Sequence, residues 1–384
     1  MPSKLENSRA TYPAAALADY EDLMLRILAR LPVKSICRFK SVCKPWNHLL
    51  STQEFIKLQF KISSESKNQY FLVHRVKLNL SNTISVFDID SNEKKARILD
   101  HPFNDTLVEI NIVGCCNGLV CIRSDQGLVF WNPAMSLSKT VSLLKAHKYF
   151  LDFFPSELLG FGYHAESDDF KVVRIILKKR TFGTCVSCVE VYSVNLNSWT
   201  TIDPGFEFSE FWFYIFKNSA TVNGNPYWVV KDAERKYVLV CFDMSKLVFK
   251  FVPLSSLDYN KAEQDIEFVD LNGSLGALVF TWRYDNTIAY VHAWVFDEGE
   301  QIRRKSHSVG PIEVKMNRVL RCLNDGKILS KRPNGQPIVF NSETKCVEYL
   351  FNGRPDFRIY FYDYTASLAY IEGMEKVTCR KRQH

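Results

Sequence analysis

The spacing of apolar residues changes character once along this chain, near residue 62. Upstream of it, Leu23, Ile27, Leu28 and Leu31 recur at helical spacing with Arg26 and Arg30 on another face, which predicts an amphipathic helix. Asp19 is placed to cap that helix, with Asp22 three residues on in the manner of a capping box, and Pro32 ends it. Val33 and Ser35 start a short second helix with Ile36 and Phe39 inward and Lys34, Arg38 and Lys40 outward. Pro45 fits the first turn of a third helix, where a missing N–H is tolerated. Trp46, Leu49 and Leu50 supply its apolar face, and Phe55, Ile56, Leu58 and Phe60 continue it. The expected order is a disordered tail over 1–18, a three-helix head over 19–61 and a polar linker over 62–69.

Downstream the pattern reads as strands. Val189–Val194 leads through Asn195-Leu196-Asn197-Ser198 to Trp199–Ile202, Val238–Phe242 through Asp243–Lys246 to Leu247–Val252, and Ile338–Phe340 through Asn341–Lys345 to Cys346–Leu350. Each is a β-rich pair around a polar turn, the mark of a hairpin, and looser copies begin near Val86, Val129 and Val295. Anchors at Val86, Val129, Val191, Val240, Trp294 and Val339 are spaced by 43, 62, 49, 54 and 45 residues. That spacing is close to the ~50-residue period of propeller blades. The fold class expected is α+β multidomain, a helical head followed over 70–374 by an all-β, six-bladed propeller-like domain. Tyr70–His74 and Arg358–Tyr370 are both strand-like and can close the ring together. A β-sandwich with irregular repeats is the alternative.

Composition sharpens what such a molecule does. Half of the head's residues between Asp19 and Phe60 are apolar. A chain below ~50 residues seldom buries enough surface to stand alone, so part of this face must be covered by a partner or by the following domain. The formal charge of +7 is uneven: residues 1–61 contribute +5 and Glu375–His384 +3, leaving −1 for the region between. A neutral large domain argues against a nucleic-acid platform there, and a basic head suits an acidic protein partner. Reading the head as a DNA-binding helix-turn-helix leaves no polar recognition helix. No run approaches the ~20 apolar residues of a membrane span, and the N-terminus lacks the pattern of a signal peptide. The eleven cysteines have no framework spacing, so a reducing cytoplasmic or nuclear setting is expected, and Arg380-Lys381-Arg382 is a weak nuclear address. Cys185 and Cys188 form a lone CxxC without a second ligand pair. No cofactor or metal is expected. The eight histidines make no HxH or HExxH, and no P-loop, G-x-S-x-G or G-x-G-x-x-G is present. Glu166, Asp168 and Asp169 read as a charged turn before Phe170–Ile176.

Two stretches carry a family likeness. Leu31-Pro32-Val33-Lys34-Ser35 followed by Arg38-Phe39-Lys40-Ser41-Val42-Cys43-Lys44-Pro45-Trp46 resembles the F-box of plant F-box proteins, with Phe55 at the family's closing Phe. The family opens with Leu-Pro, where this chain has Asp19-Tyr20. Gly114-Cys115-Cys116-Asn117-Gly118-Leu119-Val120, Trp131-Asn132-Pro133, Gly160-Phe161-Gly162-Tyr163, Asp169-Phe170-Lys171-Val172-Val173 and Val189–Ser193 are similar to the plant F-box-associated, kelch-like domain. No Gly-Gly occurs, unlike in true kelch repeats. The resemblance implies a non-catalytic substrate receptor of an SCF (Skp–cullin–F-box) ubiquitin ligase, bridging a Skp-type adaptor, and through it a cullin, to a target protein. It implies adaptor contact by Leu23, Ile27, Leu28, Leu31, Pro32, Val33, Val42 and Trp46, with no nucleic acid or membrane partner. A propeller scaffold with a degenerate F-box and a propeller enzyme (a glycan hydrolase or oxidase) are the rival readings. Phe206–Phe216 offers a possible aromatic contact patch, and the target-binding residues are unassigned.

Overall fold

The computed structural model describes residues 14–66, 70–76, 81–88, 97–103, 110–143, 157–180, 183–205, 220–231, 237–254, 264–271, 273–282, 288–296, 303–316, 318–323, 326–350 and 358–377. The aromatic segment Phe206–Phe216 and the basic triplet Arg380–Arg382 lie outside them.

The head has four helices, α1 (Ala14–Ala29), α2 (Val33–Lys40), α3 (Lys44–Leu49) and α4 (Gln53–Ser64). This corrects the three-helix expectation, because the third predicted helix is broken at Leu50–Thr52. Thr52 is extended, and its hydroxyl accepts from Phe55 N at 3.3 Å, so it caps a new helix where the apolar pattern alone continues across the gap. The boundary at 19 also moves. α1 begins at Ala14, which places Asp19 inside the helix rather than at its cap.

From β1 the chain forms six antiparallel sheets. The first blade holds β1 (Tyr70–Val76), β2 (Asn82–Asp88) and β3 (Arg97–Ile98). The second is β4 (Asn111–Cys116), β5 (Leu119–Ser124), β6 (Gly127–Asn132) and β7 (Leu137–Val141), and the third β8 (Glu157–His164), β9 (Asp169–Arg180), β10 (Gly183–Ser193) and β11 (Ser198–Ile202). The fourth is β12 (Ala220–Val222), β13 (Asn225–Lys231), β14 (Tyr237–Asp243) and β15 (Val248–Pro253), and the fifth β16 (Gln264–Leu271), β17 (Ser274–Trp282), β18 (Ile288–Phe296) and β19 (Arg303–Val309). The sixth is β20 (Arg318–Cys322), β21 (Ile328–Lys331), β22 (Pro337–Phe340) and β23 (Val347–Tyr349). β24 (Arg358–Asp363) then returns to the first blade and pairs with β1, Phe71 opposite Asp363 and Val76 opposite Arg358. The two strand-like ends do close the ring together. All six sequence anchors fall on the third strand of their blades, and the long 62-residue interval contains the extended β9–β10 hairpin. β25 (Glu375–Lys376) adds a fifth strand beside β7, so Glu375 and Lys376, expected to open a basic C-terminal tail over 375–384, belong to the propeller.

Alternation along the strands buries a layer of side chains between each pair of neighbouring blades. Phe130 and Cys121 of the second blade meet Phe161, Val172 and Tyr192 of the third, with Phe130 and Tyr192 rings stacked at 6.1 Å. Equivalent clusters join every other neighbouring pair around the ring. Gly160 and Gly162 in β8 serve this packing rather than a backbone angle only glycine adopts. A Cβ at Gly162 would lie 2.0 Å from Gly224 O, and one at Gly160 2.5 Å from the Trp228 ring. The two blades therefore approach as closely as bare backbone allows.

One polar cluster crosses a blade interface in the core. Glu157 accepts from Arg123 Nε at 2.9 Å and from Arg174 Nε at 2.7 Å, and Arg174 also reaches Glu190 at 3.4 Å. Arg123, Glu157 and Arg174 side chains are all at least nine-tenths buried. Removing one partner leaves the others charged and desolvated, so Glu157→Ala is expected to destabilise the fold by about 3–5 kcal/mol, read by denaturant unfolding.

Candidate functional site

The head has two apolar faces. Leu28, Ala29, Val33, Ile36, Leu50 and Phe55 form a core that also takes in Leu368 of the propeller, with Ala134, Met135 and Ala366 packed at its edge. Phe39 and Trp46 pack edge-to-face within it at 5.4 Å. The second face is open: Leu23, Ile27 and Val42 are 56%, 54% and 66% exposed, and Pro32 and Pro45 are exposed beside them. Arg30, Lys34, Arg38 and Lys44 of the head are exposed as well. Leu23 and Ile27 are one helical turn apart and so share a side of α1.

Of the eight residues predicted for adaptor contact, Leu23, Ile27, Pro32 and Val42 lie on this open face. Leu31 and Trp46 are half-buried against the core. Leu28 and Val33, at 7% and 4% exposure, lie instead in the core that takes in Leu368. Helical period marks apolar positions but does not say which of two apolar faces each one joins.

The propeller's grip on the head depends on Asn132 of the Trp131-Asn132-Pro133 motif and on the run Ala366–Ala369. Asn132 is fully buried at the end of β6. Its Oδ1 accepts from Ala134 N (3.0 Å) and Met135 N (3.1 Å), which forms the turn. Its Nδ2 donates to Ser367 O (3.1 Å) and Ala369 O (2.8 Å), fixing the carbonyls on either side of Leu368. Ser367 Oγ donates to Asn117 O at 2.7 Å, and Gly118 (φ +80°) lets Ser367 approach, since a Cβ there would lie 2.2 Å from its Oγ. Leu368 is thus held pointing into the helices, at 0% exposure. Nothing in the run Ala366–Ala369 distinguishes Leu368 as a docking residue; the only sequence signal was the Trp131-Asn132-Pro133 motif.

A second contact flanks the first. Lys57 Nζ of α4 lies 3.2 Å from Asp168 Oδ1 in the β8–β9 turn, and Tyr163 OH donates to the same carboxylate. Beside this pair a cleft of about 670 Å³ separates α4 from the propeller, lined by Ile56, Phe60, Lys139, Tyr163, Phe170 and Asn195 among others. The end of α4 and Ser63–Ser66 also border the wider mouth of the central channel, where the inner strands finish. There Arg321 Nε pairs with Asp363 Oδ2 at 3.2 Å, and burial raises the Asp270 carboxyl above its usual range. Burial likewise pushes the thiols of Cys116 and Cys322 up to about 12, and those of Cys115 and Cys121 higher still. Burial therefore favours the protonated form of all four thiols. Among the described residues no group of His, Cys, Asp or Glu is placed to hold a metal, and no helix is long and apolar enough to cross a membrane.

The F-box domain family matches residues 21–58, and the F-box associated beta propeller domain family matches residues 58–360. An F-box/kelch-repeat protein of Arabidopsis thaliana is 26% identical over 251 residues, covering 60% of this chain and 64% of that protein. An F-box/LRR-repeat/kelch-repeat protein of the same plant is 29% identical over 243 residues, covering 62% and 60%. The chain thus spans about 60% of the length of the curated relatives it matches. Among solved structures, an oligogalacturonate lyase in complex with manganese aligns over 73% of this chain and 78% of its own (TM-score 0.39, 9% identity). The β-propeller domain of the Trilobed protease from Pyrococcus furiosus aligns over 76% and 94% (TM-score 0.36, 10% identity). Similarity at that level does not bear on activity.

Truncating Leu368 removes the side chain shared by the two domains. Leu368→Ala is expected to cost about 2–5 kcal/mol and to speed proteolysis in the 65–69 connection, while Lys57→Ala, at a half-exposed ion pair, costs about 1 kcal/mol or less. Urea unfolding and limited proteolysis of the three proteins side by side read both effects.

Proposed function

The chain belongs to the F-box associated β-propeller family, and on that premise we propose that it is the substrate-recognition subunit of an SCF-type ubiquitin ligase. In this reading the head binds a Skp-type adaptor, and through it a cullin, and the propeller holds a target protein. The chain itself makes and breaks no bonds. Its contribution is to raise the effective concentration of target lysines near the activated ubiquitin carried elsewhere on the assembly. The work is done in the cytoplasm or the nucleus.

The observation that carries this reading is the open apolar face of Leu23, Ile27, Pro32 and Val42 on a head whose other apolar face is already occupied by Leu368. Had the propeller covered both faces, the head would need no partner. Large apolar side chains left in water cost roughly 1.5–3 kcal/mol each relative to burial, which favours a partner that covers them. Exposed Arg30, Lys34, Arg38 and Lys44 of the head supply charge steering toward an acidic adaptor surface.

One observation favours the rival scaffold without ligase function. The F-box match begins at Glu21, just past Asp19-Tyr20, where the family opens with Leu-Pro. In this chain those two residues lie within continuous α1, and a proline at position 20 would remove an interior helix hydrogen bond. Asp19-Tyr20 is therefore compatible with a longer first helix, and the exposed pair Leu23 and Ile27 follows it on the same helix.

Ile27→Glu and Val42→Glu, both at exposed positions, are expected to weaken binding to a purified Skp-type adaptor by about 100-fold or more, with unfolding midpoints within about 0.5 kcal/mol of wild type. Calorimetric titration decides between the two readings. A wild-type chain that captures no such adaptor supports the scaffold.

A further inference from the structure

The cleft between α4 and the propeller is built from both domains. Ile56 and Phe60 of α4 line the head side, and Tyr163 and Phe170 of the β8–β9 hairpin and Ile371, beyond β24, line the propeller side. The Tyr163 and Phe170 rings pack on each other with centroids 5.0 Å apart. Of these five, only Ile371 is fully buried, so apolar surface of each domain faces the cleft. Its volume of about 670 Å³ lies within the ~300–1,000 Å³ of pockets that enclose small organic ligands.

Hydrogen bonds and one ion pair fix the walls. Lys57 and Asp168 pair across the junction at 3.2 Å. Asn195 N donates to Asp169 Oδ1 at 3.0 Å and Asn195 Nδ2 to Asp168 O at 3.2 Å, which ties the β10–β11 turn to the β8–β9 turn. Asn132 clamps the carbonyls of Ser367 and Ala369, and both residues line the cleft. A pocket held in this way loses little conformational freedom when a ligand enters.

The charges lining it are unevenly compensated. Lys57 and Asp168 neutralise each other, and Glu372 is exposed to water. Lys139 is half-buried and runs beside Gly373, where a Cβ would stand 3.9 Å from its Nζ. Lys139 makes no hydrogen bond or ion pair among the described residues. The neutral amides of Asn117 and Asn197 also line the cleft, and Asn197 Oδ1 is taken by Tyr192 OH at 2.6 Å, which leaves its Nδ2 to donate. The Asn195 Oδ1 is a neutral acceptor. The uncompensated, partly desolvated charge of the cleft is therefore a cation beside apolar walls. An anion brought next to it gains more than it would in open water.

We propose that this cleft binds a small organic carboxylate with an apolar body. The body lies against Ile56, Phe60 and Phe170, and the carboxylate meets Lys139. A ligand so placed touches the head and the propeller at once, and its binding strengthens their docking by linkage. The inference goes beyond the receptor reading and does not depend on it.

The test titrates the full chain with phenylbutyrate, its neutral amide phenylbutyramide and the cation phenylbutylamine, read by saturation-transfer NMR. Phenylbutyrate is expected to bind with a dissociation constant of about 1 mM or below, about fivefold or more tighter than either of the others. Lys139→Gln is expected to reduce that preference to about twofold or less, and Lys139→Arg to retain it. At about ten times its dissociation constant, phenylbutyrate is expected to slow proteolysis in the 65–69 connection about tenfold. The proposal is overturned if phenylbutyrate does not bind at about 5 mM, if the amide or the amine binds as tightly, or if Lys139→Gln keeps the preference. Unchanged proteolysis with phenylbutyrate bound also overturns it, because the ligand then lies away from the junction.

Discussion

The pairing of β1 with β24 is the joint on which the rest of the molecule depends. It joins Phe71–Val76 to Arg358–Asp363, almost the full length of the propeller apart in sequence, and so turns six small sheets into a closed ring. No single four-stranded sheet buries both faces. Each does so only because a neighbour lies on either side, and the last interface exists only when the ring closes. Closure also explains why polar groups are tolerated between blades: Arg123, Glu157 and Arg174 satisfy one another only when the second and third blades are held in register.

Closure has a second consequence at the other end of β24. The chain leaves the channel wall at Asp363 and must cross the face of the propeller to reach β25 beside β7. Asn132 catches that crossing segment on both sides of Leu368, and Ser367 ties it to the Asn117-Gly118 turn. The strand that closes the ring is thereby followed at once by the side chain that anchors the head. Ring closure and head docking are coupled through about ten residues of chain, and the helices rest on a platform that does not exist until the propeller is complete.

That arrangement divides the surface by role. One apolar face of the head is consumed by the propeller, and the other remains exposed. The end of α4 borders one mouth of the channel.

The sequence by itself determined the division into a helical head and a six-fold repeat of β-hairpins. Both follow from local period: 3.6-residue spacing through Leu23, Ile27 and Leu31, and strand–turn–strand units whose anchors all fall on the third strand of a blade. It also pointed to Tyr70 and Arg358 as the ends that meet. Tertiary structure decided what local period cannot encode. Leu28 and Val33 belong to the same apolar pattern as Ile27 and Val42, yet one pair is buried and the other exposed, because a leucine some 340 residues away occupies one side of the helices. The break at Thr52 was hidden because the apolar pattern runs through it while a single hydroxyl ends one helix and caps the next. Gly160 and Gly162 stand in the sequence only as part of a motif, and the structure shows them to be clearance for the neighbouring blade. In each case the deciding contact comes from elsewhere in the chain or from one hydrogen bond, and neither leaves a periodic trace.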